Sequence, residues 1–153
     1  MTPTRTKSLR KPRAKKPPAT PRMSKKALQE AEQAHREQYA QDLFRALNAS
    51  VFDNKLPEET KLVWNKRMQT TAGRAKWHKS SQGIETTQIE LATKVLDSEG
   101  QLLASSNRTN TAISNDIFIE RIRNTLSHEM CHLASWVIDR RPKEAHGTIW
   151  RSW

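Results

Sequence analysis

Only one cysteine, Cys131, occurs in the 153 residues. No disulfide can therefore close within the chain, and no four-cysteine zinc module can be built from it. No apolar run approaches the roughly 18 residues that a membrane-spanning helix needs, and no hydrophobic signal region follows Met1. These absences read as a soluble, intracellular protein that engages no membrane. Acidic residues are missing from the first 26 positions, which hold ten Lys or Arg and five of the seven prolines. Such a stretch cannot bury enough apolar surface to fold alone, so residues 1–26 are expected to be a disordered basic tail.

What is present divides accordingly. The formal net charge is +11, of which the first 26 residues supply +10, so the basicity belongs to the tail. Within it, Arg10, Lys11, Arg13, Lys15 and Lys16 form a cluster suited to nuclear import, to DNA binding, or to both. Neutralised phosphates release counterions whatever the base sequence, so the expected partner is DNA, bound without sequence preference. A merely solvated linker is the plainer alternative. An amphipathic transit helix is opposed by Pro12, Pro17, Pro18 and Pro21.

Residues 27–153 read as one domain. Ser24 is a plausible cap for a helix whose apolar positions are Leu28, Ala31, His35, Tyr39, Leu43, Phe44, Leu47 and Val51. Asp53-Asn54 and Pro57 stop it. Three segments with strand character follow, at 61–68, 71–79 and 84–91, with a hairpin turn at Ser80-Ser81-Gln82-Gly83. They predict a small antiparallel sheet, with Trp64 and Trp77 as core anchors. The polar stretch at about 98–114 has no sustained period and reads as a loop insertion. Ser114, Asn115 and Asp116 then offer caps for a long helix from Ile117 to about Ile138, with Ile119, Ile122, Leu126, Leu133, Trp136 and Val137 on its apolar face.

That helix carries the sequence His128-Glu129-Met130-Cys131-His132. Histidines four apart project from one helical face and can converge on a single cation. Glu129 is rotated about 100° from His128 by the helical repeat, so it flanks the ion and can accept a proton from water. A catalytic site of this kind needs a third protein ligand. His146 is the candidate, because Arg140-Arg141-Pro142 stops the helix and Gly147 permits close approach of the returning chain. Cys131 could also coordinate a soft metal, although a small buried filler is the ordinary role of such a residue. Chance alone produces the five-residue pattern about once in a hundred chains of this composition, so its setting in a capped, periodic helix matters.

The segments FDNKLPEETKLVWNKRM, TAGRAKW, TQIELATKVLD, RIRNTLSHEMCHLASWVID and AHGTIW stand in the order and approximate spacing of the SprT-like domain, a zinc metallopeptidase module. Over most of Leu43 to Trp150 the chain resembles that family, and is most similar to its germ cell nuclear acidic protein type, with Spartan more distant. The resemblance implies an α+β, zincin-like domain with an N-terminal helix, a small antiparallel sheet and a long helix bearing the metal motif. It implies Zn2+ at His128, His132 and His146, Glu129 as general base, and cleavage of proteins crosslinked or tightly bound to DNA in the nucleus. The rival reading is a DNA or chromatin adaptor whose metal site is structural or inactive. Family members often continue into another helix and a cysteine-ligated zinc ribbon, so the reading allows for a domain truncated at its C-terminal end. The loop at 98–114 is longer than is usual in the family, and the long acidic region of the germ-cell branch is absent.

Overall fold

Ser24 sits in extended backbone at φ −66° and ψ 152°, and its Oγ accepts the Ala27 N–H at 3.2 Å, which starts helix α1 at Lys25–Ser50. The computed structural model describes residues 24–96, 111–143 and 145–153. After α1 come strands β1 (Lys61–Asn65), β2 (Gly73–Lys79) and β3 (Glu85–Ala92), then helix α2 (Thr111–Val137) and a short helix α3 (Thr148–Ser152). Arg10, Lys11, Arg13, Lys15 and Lys16 lie outside the described residues, as does most of the expected loop insertion.

Helix α1 packs on the domain from Arg36 onwards, where the guanidinium lies 3.8 Å over the ring of buried Phe118. Ala40, Phe44 and Asn48, each four residues after the last, are buried, with Tyr39, Leu43 and Leu47 beside them. Leu28 and Val51 are 52% and 43% exposed, and His35 is exposed. The apolar stripe read from the sequence is therefore buried only in part. A helix of 26 residues is about 39 Å long, and its packing partner is α2, which meets only its later turns.

The turn after α1 is closed by one side chain. Asp53 and Asn54 take left-handed φ values of 51° and 57°, a conformation that Asp and Asn tolerate better than most residues. Buried Asn48 then grips the backbone beyond them: Leu56 N–H donates to its Oδ1 at 3.1 Å, and its Nδ2 donates to the Leu56 carbonyl at 3.0 Å. This holds Phe52 and Leu56 in the core.

The strand order is β1-β3-β2, with β2 antiparallel and β1 parallel to β3. The sheet is thus mixed, which corrects the expectation of a purely antiparallel one. The hairpin is as expected: Ser80 N–H bonds the Ile84 carbonyl at 2.8 Å, and Gly83 takes a φ of +83°, which glycine adopts freely. The difference is β1. Nearly every residue from Thr87 to Ala92 is buried, so β3 is suited to a central place with neighbours on both sides. It separates β1 from β2 and pairs Lys61 to Asn65 with Gln88 to Ala92.

Helix α2 crosses this sheet. Phe118, Ile122, Leu126, Met130, Leu133 and Ala134 are buried against Phe44, Phe52, Ile89 and Leu91. The helix begins at Thr111, not at Ile117, so the helix-capping residues expected at 114–116 lie inside it. Extending a helix by six residues is easy once the rest has nucleated. Trp64 packs on the core, but Trp77 does not belong to it; it lies half-buried at the hairpin end of β2, near Trp136 and Pro142.

Replacing Asn48 by Ala leaves the buried N–H and carbonyl of Leu56 without partners. Asn48→Ala is expected to lower unfolding stability by about 2–3 kcal/mol, read as a lower urea midpoint with an unchanged slope. A midpoint equal to that of the parent chain would contradict this role.

Candidate metal centre

On α2 the helical repeat turns His128 and His132 to one side and Glu129 towards the sheet. Glu129 is only 8% exposed, and its Oε2 accepts the Ala75 N–H at 2.7 Å. The donor is available because β2 is an edge strand, whose outward amides have no strand partner. Burial pushes the Glu129 carboxyl above its usual range; the Ala75 amide, His146 and Arg74 draw it back only in part. The approach depends on Gly73. A Cβ there would stand 2.5 Å from Thr125 Cγ2 and 2.9 Å from Glu129 Cγ.

Beyond α2 the chain reverses. Arg140 takes a left-handed φ of 57°, and Arg141 N–H bonds the Ser135 carbonyl at 2.9 Å. His146 returns to the same face, with its Nε2 3.0 Å from His128 Nε2 and 3.2 Å from His132 Nε2. Trp150 covers the trio with ring centroids 4.8, 5.5 and 4.7 Å from His128, His132 and His146, and Trp136 stacks on His132 at 5.6 Å. Trp153 fastens the segment by donating its indole N–H to Asp139 Oδ2 at 2.7 Å and packing on Phe52 at 5.4 Å.

Three imidazole nitrogens so close are not explained by hydrogen bonding alone. A ring nitrogen carries either one proton or one in-plane lone pair, so His146 Nε2 cannot make proper hydrogen bonds to both neighbours. Three lone pairs aimed at one point suit a cation instead. Around a tetrahedral ion with Zn–N near 2.0–2.1 Å, neighbouring nitrogens stand about 3.3 Å apart, close to the separations here. Burial, with the adjacent imidazoles, lowers His132 to about 4; burial, with His146, also lowers His128. Both rings are therefore neutral at pH 7, the state a metal ligand requires. His132 Nδ1 is buried with no hydrogen-bond partner among the described residues, so stacking under Trp136 must fix that ring.

The three histidines form a group whose ligand atoms all lie within 4.8 Å of one another, and Cys131 is outside it. The thiol packs against the core, where burial pushes it up, as expected of a filler residue. Beside the histidines and Glu129 lies a cleft of about 590 Å³, whose opposite wall is Thr71 to Ala75 of β2 and the chain before it. Sequence reasoning did not find the parts played by Gly73 and Ala75. A glycine opening a strand carries no signal of which helix will lie against it, and a backbone amide carries none at all.

Gly73→Ala is expected to push β2 off α2, cost roughly 1–3 kcal/mol of stability and expose the Ala75 amide. Hydrogen exchange at Ala75 measures this directly. Unchanged protection there would show that the close approach is not needed.

A family model, the SprT-like family, matches residues 40–153. The chain is 33% identical over 119 residues to the germ cell nuclear acidic-1 protein of Caenorhabditis elegans, an alignment covering 78% of the chain and 18% of that relative. It is 32% identical over 125 residues to human germ cell nuclear acidic protein, covering 76% and 14%. It is also 32% identical over 117 residues to an HMG box-containing protein of Schizosaccharomyces pombe, covering 70% and 27%. The chain thus spans less than a third of the length of each of these relatives. No solved structure gives a significant match. With three histidines gathered in one cluster and a family match extending from Ala40 to Trp153, the chain belongs to the SprT-like family of zincin-like metallopeptidases.

Proposed function

We propose that this chain is a zinc-dependent peptidase that cleaves proteins bound or crosslinked to DNA in the nucleus. The observation that carries the reading is the convergence of three imidazole nitrogens beside a buried carboxylate, open to a cleft. His128, His132 and His146 would hold the ion, and zinc suits an all-imidazole set. When bound, it supplies Lewis acidity that polarises a carbonyl oxygen brought next to it. A structural zinc site is normally closed by four protein ligands. Among the described residues the group offers three, with a cleft alongside, which favours catalysis over a structural site in an adaptor protein.

Glu129 does the proton work. With Oε2 held by Ala75 N–H, the carboxylate takes a proton from water as the water oxygen attacks the scissile carbonyl carbon. It then passes that proton to the nitrogen as the carbon–nitrogen bond breaks. Burial raises the Glu129 carboxyl, and a pKa nearer the working pH suits a group that must both accept and return a proton.

The DNA setting is supported by the basic cluster Arg10, Lys11, Arg13, Lys15 and Lys16, and by relatives whose names include the words nuclear and HMG box. A sequence-independent tail would hold the domain on DNA, where its protein substrates are.

Glu129→Gln is expected to keep zinc bound while cleavage of a DNA-bound protein falls by about 100-fold or more; zinc content and gel-resolved fragments are the readouts. Undiminished cleavage would refute the assigned role, and zinc without cleavage in the parent chain would favour the adaptor. Deleting residues 1–23, which keeps the Ser24 cap, should weaken DNA binding. It should also flatten the plot of log K against log salt by roughly 0.9 for each phosphate that the tail no longer neutralises. An unchanged slope would assign DNA binding to the folded domain.

A further inference from the structure

His146 reaches its place on a segment that is tied down in an unusual way. Trp153 donates to Asp139 Oδ2, so the chain from Asp139 to Trp153 closes on itself as a loop. At the neck of that loop stands Arg140, in a left-handed conformation that glycine adopts freely and other residues adopt at a cost. Its Nη1 donates to Glu85 Oε1 at 2.7 Å, across 55 positions of sequence. Glu85 is the first residue of β3 and faces Lys79, the last of β2. Its carboxylate also receives Lys79 Nζ at 3.2 Å and, more weakly, the Trp77 indole N–H at 3.5 Å. One carboxylate at the hairpin end therefore gathers three donors. One of the three comes from the loop that carries His146.

We infer that the Arg140–Glu85 pair is a latch that positions His146, and that a backbone-strained arginine is kept at the loop neck for the sake of the metal centre. The inference rests on the metal-binding reading of the three histidines. Five residues lie between Arg140 and His146, a span that could reach about 20 Å if its start were loose. Arg140 and Glu85 touch neither the three imidazoles nor the cleft wall at Gly73, so both are positioning residues. Partial desolvation works to raise the Glu85 carboxyl, but the Arg140, Lys79 and Trp77 hydrogen bonds outweigh it and hold it below its usual range. The latch is accordingly charged at neutral pH.

The backbone conformation supplies a test that separates positioning from simple stabilisation. Arg140→Gly removes the latch and relieves the left-handed strain, so the metal-free chain should melt at the same temperature or higher. Its affinity for Zn2+, measured by chelator competition on the full chain, should nevertheless fall by about fivefold, the scale that a partly exposed ion pair can supply. Glu85→Gln should weaken Zn2+ binding to a similar degree, and Arg140→Lys, which keeps the charge, should recover most of the affinity. Equal Zn2+ affinity in Arg140→Gly and the parent would overturn the latch while leaving the metal centre intact. A loss of affinity that merely follows a loss of melting temperature would overturn it too. If the parent chain binds no Zn2+, the metal centre fails and the latch with it.

Discussion

The bond between Glu129 and the backbone of β2 is the constraint on which the rest of the site depends. A carboxylate this buried is costly to leave without a donor, and here the donor is the Ala75 amide at 2.7 Å. For that bond to form, helix and edge strand must lie closer than a side chain at position 73 would permit. The close approach sets the rotation of α2 about its axis. Once Glu129 points at the sheet, the 3.6-residue repeat sends His128 and His132 to the cleft side, and Leu126, Met130 and Leu133 into the core. One hydrogen bond and one missing Cβ thus connect the packing of the domain to the geometry of its histidines.

The third histidine is held by different means. His146 belongs to no long element and takes no register from a helix or sheet. It is fixed by aromatic packing under Trp150, by the indole of Trp153 on Asp139 and Phe52, and by the ion pair from Arg140 to the hairpin. Such a segment is easier to displace than a core helix, since its ties are few and partly exposed. A cluster built from two imidazoles on a rigid helix and one on a tethered segment can loosen without the domain unfolding. The lowered His128 and His132 resist protonation, and this contribution to stability is present above the ordinary histidine value of about 6.5. It is lost as pH falls from there towards the value of about 4 at His132.

Much of this is legible in the sequence. Ser24, the stop at Asp53-Asn54 and the hairpin at Ser80 to Gly83 were legible because caps and turns depend on a few neighbouring residues. His128 and His132 were legible as neighbours because a helix fixes what stands four residues away. The exposed start of α1 was not: Leu28 and Ala31 continue the apolar spacing, but nothing in them says where along α1 the contact with α2 begins. The parallel pairing of β1 was hidden for a similar reason, since strand order is chosen by the burial of β3 and not by the turn next to β1. Trp77 looked like a core residue because large aromatics usually are, yet its strand position carries it to the rim of the domain.

The local pieces were set by neighbouring residues alone: a capped first helix, a hairpin, and a periodic second helix with two histidines on one side. Each follows from interactions spanning only a few residues. Tertiary structure alone decided that Gly73 lets the helix approach, that Ala75 satisfies Glu129, and that Arg140 and Trp153 return His146 to its companions. Those hydrogen bonds join positions 14 to 55 residues apart, and no local preference can choose among the many partners available at such separations. The choice falls to the packing of the whole domain, where each buried polar group must find its partner at once.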